Sequence, residues 1–253
     1  MTPPLFLLDR ASLSAPVIAL SGREGHHAAD VRRLRIGEVV DVSDGHGTRV
    51  RCRVRDVERS RVLLDVQARI TEPRPRPWLV VAQALIKQDA AERAIAGMTE
   101  VGVDAIVPVT AERSVVTWAD ERVERGVRRW QAAAREAAKQ ARRAWVPQVA
   151  DPYDLTELAA RVRGADLALV LDAQAPVALG FLEVPDEGTV LLVVGPEGGL
   201  TDHEMATLEA AGARRAHLGP TVLRAATVGI AAAAVLLSRS QRWTIPHQQA
   251  PAG

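Results

Sequence analysis

The stretch Val190-Leu-Leu-Val-Val-Gly-Pro-Glu-Gly-Gly-Leu-Thr-Asp-His-Glu204 decides the fold. Its first five residues are apolar without a polar alternate, which predicts a strand buried on both faces, the habit of parallel sheets. Gly195, Gly198 and Gly199 then permit a tight loop whose main chain a ligand can approach closely. Thr201-Asp-His-Glu204 has the spacing of a capping box, so a helix opens there. Ligands in such sheets lie beyond the carboxyl ends of the strands. Some residues further on the same logic recurs. Ala216-His-Leu218 reads as a short strand, Gly219-Pro220 as a turn, and Leu223-Arg224 leads into an apolar helix over 226–237. Either bend alone reads as a tight turn; the pair reads as two strand-end loops sharing one ligand.

Moving towards the amino terminus, 79–85, 105–109 and 167–171 read as apolar strands, with helices over 89–101 and 120–142 between them. Strand and helix in alternation imply a mainly parallel sheet with helices on both faces. Upstream, Thr71-Glu-Pro-Arg-Pro-Arg-Pro77 reads as an extended connector, because its prolines lack amide donors. Before it lie the β-rich runs 38–42, 48–54 and 61–66, with a turn at Asp44-Gly-His-Gly47. The expectation is a small β-barrel over 1–72 and an α/β domain over 73–253.

Hydrophobic residues at 47% and charged residues at 25% describe a folded chain rather than a disordered one. A single cysteine, Cys52, excludes an intrachain disulfide and a cysteine-built zinc cage, and fits a cytoplasmic setting. The longest charge-free apolar run, 225–238, is too short for a bilayer, where about 20 residues are needed, and no secretory leader is read at the start. The net charge of +1 hides a gradient of +2 over 1–72, +4 over 73–147 and −5 over 148–253. Nearly all the cations are arginines, whose planar fork suits phosphate, so the first two segments read as gripping a polyanion. An arginine-rich coding sequence explains the same composition, and both readings stand. Candidate phosphate contacts are Arg32, Arg33, Arg35, Lys87, Arg113, Arg128, Arg129, Arg142 and Arg143. With few aromatics to stack on, recognition by shape and backbone is expected.

The chain lacks a Walker phosphate loop, a dinucleotide fingerprint and a nucleophile elbow, which disfavours nucleotide hydrolysis, oxidoreduction and common hydrolase chemistry. The adjacent His26 and His27 have no third ligand nearby, and His46, His203, His217 and His247 are scattered, so no metal site is expected.

The string 192–201, followed by Leu218-Gly-Pro-Thr-Val-Leu-Arg224, resembles the cofactor loops of the SPOUT methyltransferases. It is most similar to the RsmE family of 16S rRNA uridine N3-methyltransferases. The likeness extends to His26-His27, Val31-Arg-Arg-Leu-Arg35 and Asp44-Gly45 in a PUA-like domain. It continues through Lys87, Asp89 and Glu92, Thr99-Glu-Val-Gly-Val103, Glu112-Arg-Ser-Val115, Arg129-Trp130, Glu136-Ala-Ala138 and Val146-Pro147. The resemblance implies a trefoil-knotted carboxy-terminal domain, a homodimer, and S-adenosyl-L-methionine as cofactor. The cofactor would be held by Leu171, by Val194, Gly195, Pro196, Glu197, Gly198 and Gly199, and by Leu218, Gly219, Pro220, Leu223, Arg224 and Thr227. The chain departs from the family at Ala225 and Ala226, where a hydroxyl and a carboxylate are usual, at Gln88, and at Ala96-Gly97. A SPOUT-like RNA-binding or ribosome assembly factor without catalysis is the alternative those departures motivate. For an enzyme, Arg224 is the expected catalytic residue, stabilising charge on the uracil, while Glu197 reads either as proton acceptor or as loop anchor.

Overall fold

The computed structural model describes residues 2–244; His247 and the end of the expected second domain lie outside them. The described residues cluster into two compact units, 2–74 with 135–146, and 75–134 with 147–244.

The first unit holds a five-stranded sheet in the order β1-β3-β4-β5-β2. Its strands are β1 (Leu5–Leu7), β2 (Val17–Leu20), β3 (Val39–Ser43), β4 (Thr48–Glu58) and β5 (Arg61–Thr71). Alternation in Thr48-Arg-Val-Arg-Cys-Arg-Val54 sends Val50, Cys52 and Val54 into the core and the arginines outward, as a period of two requires. Those three join Phe6, Ile18, Leu20, Val40, Val42, Val62 and Leu64 in the core of the unit. Among the described residues no pairing joins β1 to β2, so hydrogen bonding does not close the ring of the small β-barrel that was expected. A short helix, α1 (Gly22–His26), and a π turn over His27–Val31 cross between β2 and β3.

Among the described residues the second unit is built on six strands in the order β11-β9-β10-β6-β7-β8. They are β6 (Trp78–Ala84), β7 (Ala105–Val109), β8 (Gln148–Val149), β9 (Leu167–Leu171), β10 (Thr189–Val194) and β11 (Arg214–Ala216). All five pairings are parallel. The helices are α2 (Gln88–Val101), α3 (Glu121–Gln140), α4 (Leu155–Arg163), α5 (Asp202–Ala210), α6 (Ala225–Ser238) and α7 (Gln241–Thr244). The final residues of α3, from Arg135, cluster with the first unit. Leu79, Val81, Val190, Leu192 and Val194 pack with residues of α2 and α6 in one core. The alternate residues Val80, Ala82, Leu191 and Val193 are buried too, as are Leu158, Val162 and Leu208 on α4 and α5. Both faces of the sheet are therefore covered by helices. None of the described helices is long and apolar enough to cross a membrane.

The strand expected at 216–218 is instead Arg214–Ala216. An edge strand can present charge to solvent, and Arg214 is exposed there. The gap at Gly97 finds its reason in α6: a Cβ on Gly97 would stand 2.4 Å from Cδ1 of Ile230, and one on Gly229 would stand 3.1 Å from Sδ of Met98. Two helices approach closely because each contributes a glycine.

Candidate active site

Because the strands are parallel, β9, β10 and β11 turn their carboxyl ends to the same edge of the sheet. A cavity of about 790 Å³ opens there. That volume falls within the roughly 300–1,000 Å³ of small-molecule sites. Its wall is made by Leu171 at the end of β9, by 194–197 with Gly199 and Leu200 at the end of β10 and in the loop beyond it, and by 215–219 with 221–225 at the end of β11 and beyond. Leu171, Val194, Gly195, Pro196, Glu197, Gly199, Leu218, Gly219, Leu223 and Arg224 thus face one space. Gly198, Pro220 and Thr227 belong to the same segments without lining it.

The loop after β10 is fastened from several sides. Pro196 carbonyl accepts from the amide of Gly199, closing a turn in which Gly199 takes φ +70°. Thr201 and Glu204 form the expected capping box at the start of α5. The Glu204 carboxylate, 3% exposed, also accepts from the amide of Glu112 at 2.9 Å, so it ties the loop after β7 to α5. Arg113 donates through Nη1 to the carbonyls of Gly198 and Leu200, at 3.2 and 3.3 Å. A Cβ on Gly198 would stand 3.2 Å from that of Arg113, so the glycine makes room for the clamp. Glu197 is exposed and makes no hydrogen bond to the loop among the described residues; of the two roles read for it, loop anchoring falls instead to Arg113 and Glu204.

The loop after β11 turns on His217, whose Nδ1 accepts from the amide of Gly219 at 3.0 Å. Gly219 takes φ +131°, which side chains rarely adopt. Arg224 is the N-cap of α6, with extended backbone; its carbonyl accepts from the amides of Thr227 and Val228. Its guanidinium is exposed and has no partner among the described residues.

Asp172 and Arg215 also line the cavity, and the sequence reading missed both. Arg215 donates from Nε to Oδ2 of Asp172 at 2.8 Å, linking β11 to the end of β9. Burial pushes the Asp172 carboxyl up, but the amide of Gln174 and the Arg215 guanidinium outweigh it and hold it below the usual carboxylate range. The signal available was position: Asp172 directly follows the strand 167–171.

The basic residues fall in both units. Arg32, Arg33 and Arg35 are exposed in the first, where Arg142 and Arg143 are half-buried. Lys87, Arg113, Arg128 and Arg129 are exposed in the second. Arg128 pairs with Glu124 one helical turn away, and Arg129 donates to Oε1 of Gln88. Gln88, one of the departures, thereby joins the start of α2 to α3.

A parallel sheet with a ligand-sized cavity at its carboxyl edge defines a small-molecule-binding α/β domain, and comparison with known proteins narrows the class. The family described as RNA methyltransferase domain matches residues 72–237, and the RNA methyltransferase PUA domain matches 20–67. The chain is 41% identical to the ribosomal RNA small subunit methyltransferase E of Mycobacterium bovis, over 94% of both chains. It is 31% identical to the protein of that name from Bacillus subtilis, over 84% of this chain and 86% of the other. The crystal structure of the Neisseria gonorrhoeae ribosomal RNA small subunit methyltransferase E bound to S-adenosyl methionine superposes with a TM-score of 0.84. It is 26% identical and covers 94% of this chain and 98% of that one. The chain belongs to the ribosomal RNA small subunit methyltransferase E family of RNA methyltransferases.

Proposed function

We propose that the protein methylates N3 of a uridine in the 16S rRNA of the small ribosomal subunit, using S-adenosyl-L-methionine. The observation that carries this reading is the convergence of 194–200 and 215–225 on one cavity, in a chain similar to a relative solved with that cofactor.

The cavity suits the cofactor on its own terms. Leu171, Val194, Leu218 and Leu223 offer apolar surface for a flat base. No atom lies within 4 Å of a Cβ built on Gly199 or Gly219, so bare main chain faces open space there. Glu197, Asp202 and Glu209 supply carboxylates on the wall for a cationic ligand. Leu171, Val194 to Glu197, Gly199, Leu218, Gly219 and Leu223 would hold it, with Gly198, Pro220 and Thr227 shaping the same segments from outside the cavity wall. When bound, S-adenosylmethionine supplies a methyl carbon on a positively charged sulfur, already a good leaving group.

The chain's own task is to align the nucleophile and exclude water. Uracil N3 must lose its proton before or during attack, and negative charge then spreads onto O2 and O4. Arg224, without a partner among the described residues, stabilises that charge, and the amino-terminal turn of α6 adds its partial positive charge. Arg113 and Glu204 keep the loop in place. In this reading residues 1–72 form a PUA-like RNA-binding domain and residues 73–253 the methyltransferase domain. Apart from Arg113, which holds the glycine loop, the basic residues named above contact rRNA phosphates. A trefoil-knotted carboxy terminus, a homodimer joined partly through apolar α6, and a cytoplasmic location complete it.

Two measurements test the proposal. Calorimetric titration with S-adenosylmethionine should show saturable binding. Mass spectrometry of small-subunit rRNA nucleosides should show N3-methyluridine lost from a deletion strain and regained with the gene. Cofactor binding without any change in the nucleosides moves the methylation to another atom or RNA. No binding leaves the non-catalytic assembly factor.

A further inference from the structure

The first unit holds a second, smaller cavity of about 70 Å³, lined by Pro4, Leu5, Phe6, His27, Arg32, Lys139, Gln140 and Arg142. We propose that it seats one phosphate of the substrate RNA between the Arg32 and Arg142 guanidinium groups, with Lys139 behind them. The proposal rests on RNA being the substrate.

Lys139 is 5% exposed, an unusual position for an ammonium, and two carboxylates offset its charge. Nζ stands 3.1 Å from Oε1 of Glu24 and 3.2 Å from Oε2 of Glu136, and 3.5 Å from Nδ1 of His27. Glu136 in turn pairs with Arg23, and Arg135 lies 3.9 Å from Glu24. Two carboxylates therefore serve three cations before Arg32 and Arg142 are counted. Those two side chains have no partner among the described residues and both line the cavity. The volume suits a single tetrahedral oxyanion, and Arg is the side chain whose fork matches one.

The backbone gives a second, independent observation. α3 ends in a Schellman turn in which the amide of Arg143 donates to the carbonyl of Ala138, and Arg142 occupies the left-handed position at φ +56°. Glycine is the usual residue there. The helix closes on an arginine instead, and the segment 27–34 repeats the device with Arg33 at φ +53°, next to Arg32. Strain of this kind persists where a side chain is needed in place. The helix end is also no obstacle to an anion: the carbonyls of Ala137, Ala138, Lys139 and Arg142 already accept from Ala141, Arg143, Arg142 and Arg49. Exposed Arg33 and Arg35 extend the basic surface past the rim, which suits a polymer better than an isolated phosphate.

The test measures binding of labelled 16S rRNA transcript by fluorescence anisotropy across a salt series. The double variant Arg32→Ala, Arg142→Ala should bind at least about tenfold more weakly. Its slope of log affinity against log salt should be shallower by about one per lost contact. Arg142→Gly should also lose affinity yet raise Tm, because glycine relieves the left-handed position; a fall in Tm marks a structural arginine and overturns the proposal. Unchanged affinity and slope in the double variant overturn it too, including when inorganic phosphate at matched ionic strength stabilises the wild type, which marks a free-anion pocket. Calorimetry with S-adenosylmethionine on the same variants separates the two ideas. A flat titration removes the cofactor reading, whereas the salt slopes still decide the pocket.

Discussion

Arg224 and Arg113 both line the cavity, and their surroundings assign them different work. Arg224 has no partner among the described residues, so in the proposed mechanism its charge is free to meet the reacting base. Replacing it with alanine should slow turnover by roughly 10²–10³-fold, the usual loss of a preorganised charge stabiliser. Cofactor affinity should change much less, and an equal loss in both, by single-turnover kinetics and calorimetry, would reject that role. Arg113 spends its Nη1 on two carbonyls of the glycine loop. Arg113→Ala should instead weaken S-adenosylmethionine binding, by about tenfold if roughly 1.5 kcal/mol of charge-assisted bonding is lost. Should Arg113→Ala leave cofactor binding intact and impair only RNA affinity, the residue is a phosphate contact, as its charge alone suggests. From sequence both are arginines beside a motif; what separates them is whether a carbonyl lies within reach, and that depends on residues some 85 positions away.

At the scale of elements, whatever depends on neighbours along the chain was readable. The strands 105–109 and 167–171 end where an apolar run ends, and the capping box at Thr201 forms as its spacing demands. Two misses had local causes: α4 opens with a capping box of its own at Asp154 and Glu157, a signal passed over, and the charges of β11 masked an edge strand. Long-range geometry was opaque. Nothing in the periodicity of α3 shows that its residues from 135 onward cluster with the first unit. The glycine at 97 likewise looked like a lost polar group until α6 came into view. Its packing makes a prediction: Gly97→Val inserts a branched side chain where Ile230 already stands. The urea midpoint should fall by the equivalent of about 1–3 kcal/mol, the usual range for overpacking. An unchanged midpoint would mean that the two helices separate freely, and that the glycine pair does not fix their distance.

Over the whole molecule the charge gradient and the two cavities fit a division of labour. The acidic last third carries most of the wall of the proposed cofactor cavity, while the basic first two segments carry every proposed phosphate contact. Binding of the two ligands should then respond to salt in opposite degrees. Each phosphate neutralised contributes about −0.7 to −0.9 to the slope of log affinity against log salt, so five or six working contacts give a slope near −4 or −5. S-adenosylmethionine, a small ligand held largely by main chain and apolar surface, should show a slope close to zero over the same range. Parallel salt series, anisotropy for the RNA and calorimetry for the cofactor, make the comparison on one preparation. A flat RNA profile would show that the arginines are solvated surface and that the composition reflects coding bias; a steep cofactor profile would show that the cavity binds through charge, and the glycine loops would lose their proposed reason.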